Sequence, residues 1–220
     1  MTSPKEETMT ADTPTAGAGR SAWTPRDTAL VAVFAALVAA SAFVPGISIG
    51  GVGVPITIQT LVIALTGLVL GGRRAFAAVL LYVVLGLAGL PIFSQGRAGL
   101  GVMAGPSAGY IVAFPLVAGL TGFFASHVLR RGLKPRTLWF FLAALVSSLV
   151  LTHTLGPVGI MLNAKVTLAQ GFIADLPFYP GDILKDVLAA VLATALHRAF
   201  PDILLRRVAR RAQPETGADA

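Results

Sequence analysis

Charged and apolar positions segregate into long blocks along this chain. Residues 28 to 72, between Asp27 and Arg73, form a run of 45 without a single Asp, Glu, Lys or Arg, and further charge-free runs cover 75–96, 98–129 and 137–164. Each is long enough to hold a helix of about 20 residues across a bilayer. The first span starts at Thr28, where Pro25 and Asp27 supply the proline and acidic first turn that suit a helix N-terminus, and ends near Pro45 and the glycines 46, 50, 51 and 53. A second runs from Pro55 to Gly71, and a third over 75–90, after the basic turn Arg73-Arg74 and before Pro91. The glycine-rich loop PIFSQGRAGLGVMAGPSAGY, residues 91–110, leads into a fourth span closed by Arg130, Arg131, Lys134 and Arg136. The fifth covers 137–156. A shorter mixed segment at 164–180 holds Lys165, Gln170 and Asp175, and Pro180-Gly181-Asp182 opens the sixth span, 182–200.

This pattern predicts an all-α polytopic membrane protein with six transmembrane helices in one bundle, over residues 27–205. A disordered tail at 1–26 is expected before it, with no apolar stretch of the signal-peptide kind, and a basic, polar tail at 206–220 after it. Composition agrees: 55% hydrophobic residues, 12% charged and a mean hydropathy of +0.78 are wrong for a soluble domain. The absence of cysteine removes disulfides, thiolate metal sites and cysteine nucleophiles together, and no metal site is expected.

The net charge of +7 would suit nucleic acid if it lay on one face. It lies instead in short clusters between apolar spans. Fourteen of the 17 basic residues fall on the side that a six-span chain gives to both termini, and only Arg97, Lys165 and Lys185 fall on the other. The positive-inside rule therefore places both termini in the cytoplasm, with 91–106 and 164–181 outside, and a nucleic-acid partner is not expected.

The three outer basic residues call for another account, as does Asp182. Asp182, Lys185 and Asp186 share one helix face. Lysine is disfavoured at a helix start by the macrodipole, yet an N-cap aspartate with a local ion pair fits the spacing as well as a ligand site does. Arg97 lies among the glycines 96, 99, 101, 105 and 109, which let backbone approach a ligand or simply turn tightly. With Asp182 and Lys185 on the same side it would complete a site for a small amphipathic anion.

Gln59, inside the second span between Thr57 and Thr60, needs a partner in a bilayer, whether helix, backbone, water or ligand. Tyr110 reads equally as an interfacial anchor, and Asn163 as a cap or loop residue. Ala32, Ala36 and Ala40, widened by Ala35 and Ala39, form a flat strip for another helix, inside the bundle or on a partner. A Ser107/His153 dyad would suggest an intramembrane serine protease; a neutral histidine bonded between helices is the plainer reading of His153. No phosphate loop follows the glycines, so the chain cannot hydrolyse ATP itself.

Four strings, in order, resemble one family: GVPITIQT (53–60), LLYVVLGLAGLPIFSQGRAGLG (80–101), GPSAGY (105–110) and LPFYPGDILKDVLAA (176–190). They are similar to the BioY proteins, the biotin-specific substrate-binding (S) components of energy-coupling factor transporters. Ser107 and Ala108 stand where the family more often shows Thr and Gly, and Asn163 matches no family motif.

The resemblance implies a six-helix S-component fold in the cytoplasmic membrane that captures biotin from outside. It implies a transmembrane coupling subunit and two ATPase subunits as partners, no cofactor of its own and no enzymatic activity. It further implies that Asp182 and Lys185 bind the ureido ring and Arg97 the valerate carboxylate, that Gln59 and Tyr110 line the pocket, and that Ala32, Ala36 and Ala40 dock on the coupling subunit. Biotin agrees in its own chemistry: two ureido N–H donors and one carbonyl acceptor match a carboxylate and an ammonium one helical turn apart. The alternatives are an S component for another small vitamin-like anion and the Ser107/His153 protease.

Overall fold

A computed structural model describes residues 23–48 and 53–201, so the expected tails lie for the most part outside the described residues, and so do glycines 50 and 51. The described chain is helical. The helices are α1 (Pro25–Ser41), α2 (Gln59–Leu70), α3 (Gly72–Leu87), α4 (Ala108–Arg131), α5 (Arg136–Ser147), α6 (His153–Ala164), α7 (Leu168–Asp175) and α8 (Phe178–Ala199). A π-helical turn, Ser148–Thr152, joins α5 to α6, giving one continuous rod over Arg136–Ala164. The sequence placed the end of that span at 156, eight residues short. A two-residue antiparallel ribbon, β1 (Ile47–Ser48) with β2 (Pro55–Ile56), which pairs Ile47 with Ile56, and an isolated bridge between Phe93 and Arg97 depart from an all-helical architecture.

Helix α1 begins at Pro25, inside the expected tail, because a capping box starts it: the Thr24 N–H donates to Asp27 Oδ2 at 3.0 Å and the Asp27 N–H to Thr24 Oγ1 at 3.3 Å. Asp27 also pairs with Arg74 of α3 at 3.4 Å, both groups buried. Arg74 therefore does more than set orientation, while Arg73 beside it is exposed.

Every residue of α2 except Thr60 is buried, so α2 is the central helix, packed against α4, α8, α3 and α1. Its 12 residues rise about 18 Å, short of a bilayer's hydrocarbon core by themselves. Gly71 turns the chain from α2 into α3 at φ 76°, a backbone region glycine enters without strain. Glycines also set the closest helix contacts: Gly109 of α4 meets the α6 backbone at Leu155 and Gly159, and Gly156 of α6 carries the Tyr110 ring in the place of a side chain.

Two helical stretches, Ala108–Arg131 and Arg136–Ala164, are long and apolar enough to cross a membrane by themselves. The distribution of side chains argues the same for the whole bundle. Outward faces carry Val33 and Leu37, Leu80 and Val84, Leu184, Val191 and Leu192, whereas Gln59, Thr66, Thr121, Ser147, His153, Asp175, Asp182 and His197 are buried. A protein with an apolar exterior that keeps its polar groups inside, among apolar core, is matched to lipid, where internal groups must find partners within the fold.

Candidate functional site

At one end of the bundle, the first turns of α2 and α4, the N-terminal part of α8, Tyr82 of α3, Thr152, the segment 54–57 and the loop between α3 and α4 enclose a cleft of about 560 Å³ counting its open mouth. Arg97, Asp182, Lys185, Gln59 and Tyr110 all line it, although they lie as far apart as 59 and 185 in sequence. Val54, Phe93, Ile111, Phe114 and Phe178 supply apolar wall.

Helix α8 begins at Phe178 rather than at the Pro-Gly-Asp string, and Pro177 caps it with no side-chain hydrogen bond. Asp182 is thus in the second turn, which removes the N-cap reading, and its side chain turns inward. Its Oδ1 accepts from Lys185 Nζ at 2.8 Å and from Thr60 Oγ1 at 3.0 Å; Lys185 Nζ also lies 3.1 Å from Thr60 Oγ1. The Asp182 side chain is 7% exposed and that of Lys185 14%, so the pair is set into the wall with the ammonium nearer the opening.

Arg97 reaches the cleft from the loop. Its Nε donates to Ser94 O at 3.2 Å and its Nη2 to Ser107 Oγ at 3.1 Å. The loop itself is fixed where the Phe93 ring covers Gly86 of α3 and meets the Tyr82 ring edge-on, centroids 5.6 Å apart at 89°. Gln59 does not present its amide nitrogen to the opening: Nε2 donates to Tyr82 Oη at 2.7 Å, uniting α2 and α3.

Tyr110 is buried rather than an interfacial anchor. Its ring packs near Phe178 and its hydroxyl donates to Asp175 Oδ1 in α7. The remaining Asp175 oxygen lies 2.7 Å from His153 Nδ1, and His153 Nε2 lies 3.6 Å from Asp182 Oδ2. The protease alternative fails on this geometry: Ser107 is bonded to Arg97 and His153 is held between two carboxylates.

Of Arg97, Lys165 and Lys185, Lys165 is not in the cleft. It is exposed in the left-handed conformation (φ 55°) that ends α6, where a cation suits the helix C-terminus. Asn163 bonds Gly159 O within α6 at 3.1 Å. Ala32, Ala36 and Ala40 lie on the outward face of α1, while Ala35 is buried and Ala39 half-buried, so the strip faces away from the bundle.

Sequence reading missed Thr60, Ser94, Phe178 and Asp175 as parts of the site. Thr60 stands in the GVPITIQT string but reads there only as a neighbour of Gln59; Asp175 has no local pattern to mark it.

The family model for BioY matches residues 13–202. The chain is 37% identical over 178 residues to a biotin transporter BioY of Rhizobium etli, covering 80% of this chain and 95% of that one. It is 35% identical over 191 residues to a biotin transporter BioY of Rhodobacter capsulatus, covering 83% and 98%. Among solved structures it resembles the S-component for biotin from an ECF-type ABC transporter, with a TM-score of 0.75 and 27% identity over 80% of this chain and 95% of that one. A match over nearly the whole described bundle, joined to relatives this similar, means that the chain belongs to the BioY family.

Proposed function

We propose that this protein captures biotin and takes it up across the cytoplasmic membrane as the substrate-specific component of an ECF-type transporter; it is a transport component, not an enzyme. The observation that carries the reading is the cleft's division of polar groups. A carboxylate and an ammonium stand together on α8 and a guanidinium stands on the loop between α3 and α4, all lining one cleft with aromatic and aliphatic side chains. Biotin has the same division, a ureido ring at one end and a carboxylate at the other. Asp182 accepts a ureido N–H, Lys185 donates to the ureido carbonyl and Arg97 pairs with the carboxylate, while the thiophane and alkyl chain lie against the apolar wall. Gln59 and Tyr110 shape the pocket through Tyr82 and Asp175 rather than by direct polar contact.

In this reading α1, α2 with the segment before it, α3, α4, the α5–α6 rod and α8 are the six spans, with α7 and the cleft at the outer side and both termini in the cytoplasm. The 14-to-3 division of basic residues supports that orientation. Partners are a transmembrane coupling subunit and two ATPases, which alone handle ATP. The outward position of Ala32, Ala36 and Ala40 supports docking there, since small residues let another helix approach closely. Calorimetric titration of the purified full-length protein with biotin tests the assignment. Saturable binding of one biotin per chain is expected, and no binding by folded protein overturns it.

A further inference from the structure

We infer that His153 and Asp175 are positioning residues, which hold Asp182 in the orientation that receives the ligand; the inference rests on the proposed role of Asp182 as the ureido contact. An ionised carboxylate offers about four acceptor positions, two on each oxygen. Thr60 and Lys185 both bond Oδ1, at 3.0 and 2.8 Å. Oδ1 is thereby filled, and Oδ2 is the atom left for a ligand N–H. Facing Oδ2 is His153 Nε2, at 3.6 Å.

His153 is itself fixed at one ring edge and over one ring face. Its Nδ1 lies 2.7 Å from Asp175 Oδ2, Asp175 is fully buried, and the other Asp175 oxygen takes the Tyr110 hydroxyl. The Tyr179 ring stacks on the imidazole, centroids 4.0 Å apart at 25°. With Nδ1 set on Asp175, Nε2 is the ring atom turned to Asp182 Oδ2, so a shift of the imidazole changes what that oxygen meets.

The backbone is bent to put this ring where it is. The His153 N–H bonds Ser148 O, five residues back, at the end of the π turn. An extra residue in one turn rotates the downstream helix by about 100° relative to an uninterrupted one. Pro157 has no N–H to take the His153 carbonyl, which relaxes the next turn as well. Such departures from helix geometry persist where a side chain must be aimed.

The test is calorimetric titration of the purified full-length protein with biotin and with biotin amide, for wild type, His153→Ala, Asp182→Ala and the double variant. His153→Ala lowers affinity about tenfold for both ligands, and by under about twofold once Asp182 is alanine, because a positioning group has nothing left to position. Asp175→Asn keeps volume and an acceptor oxygen; it shows the same pattern and serves if His153→Ala does not fold. His153→Gln, whose amide can still donate to a carboxylate, recovers part of the loss. A tenfold loss that persists undiminished in the Asp182→Ala background, or wild-type affinity in both His153→Ala and Asp175→Asn, overturns the positioning role alone. Wild-type affinity in Asp182→Ala removes the ligand role of Asp182, and the positioning role with it.

Discussion

Replacing Arg97 by alanine separates recognition of the ligand's carboxylate from general damage to the cleft. Of the five N–H donors of a guanidinium, Arg97 spends one on Ser94 O and one on Ser107 Oγ. Three remain, enough for a bidentate grip on a carboxylate. A lost charged hydrogen bond costs roughly 1.5 to 3 kcal/mol, which is about 10- to 150-fold in affinity. Arg97 is only partly buried, so solvent screening argues for the lower end, about tenfold. Titrating wild type and Arg97→Ala with biotin and with biotin amide reads the effect directly. The variant is expected to lose about tenfold for the acid and under about threefold for the amide, since the amide gives the guanidinium no charge to lose. Equal loss for the two ligands would refute the reasoning, because it would mean that Arg97 matters through its bonds to Ser94 and Ser107, as a brace of the loop.

Asp182→Ala and Lys185→Ala are expected to weaken biotin and biotin amide by the same factor, about 10- to 150-fold, since the proposed contacts of both are with the ureido end of the ligand; a preference for either ligand in that titration counts against the assignment. Ala36→Leu should reduce co-purification of the coupling subunit while leaving biotin affinity unchanged, because the added bulk is on the outward face of α1; parallel loss of both would place the strip inside the bundle. A cysteine at Gln95, exposed in the loop between α3 and α4, should react with an impermeant maleimide from outside intact cells, and labelling from the cytoplasmic side alone would reverse the orientation. Ser94 beside it is buried and serves poorly. Gly109→Ala should lower the thermal midpoint in detergent, as a Cβ there would stand 2.9 Å from the Gly159 nitrogen across the α4–α6 contact; an unchanged midpoint would show that the helices can part freely.

The legible part of the fold is the part that a bilayer dictates. Lipid forces apolar runs of helical length and leaves charges at the ends, so the helical class could be read from charge-free blocks, while prolines and glycines were needed to divide them. Helix ends were less legible where their signal was ambiguous. Pro180 and Gly181 look like a turn before α8, but they fall in its first turn, where the backbone N–H groups lack helical partners anyway and a proline gives up nothing. That shift of four residues moved Asp182 from a cap to an inward position, a change of role rather than of boundary. The alanine spacing in α1 was plain, yet only the fold could say which face it occupies.

The deeper half of the site was not legible for a physical reason. Asp175 joins Tyr110 across 65 residues and His153 across 22, and no local periodicity encodes a contact between three separate elements. Nor does any residue at 148–152 announce a π turn, because choosing a carbonyl five residues back over one four back depends on packing around the rod and not on the side chains of the turn. The proposed contact groups Arg97, Asp182 and Lys185, which line the cleft, stood out as charges that the expected topology did not need. His153 and Asp175 did not, since a polar residue inside a membrane bundle is expected to have some partner and the sequence does not say which. A buried carboxylate in lipid must still be compensated. Asp182 Oδ1 is compensated by Lys185 and Thr60, and its Oδ2 meets His153, which is in turn held by Asp175. The compensation and the aim of the carboxylate are therefore the same set of contacts, so disturbing one should disturb the other.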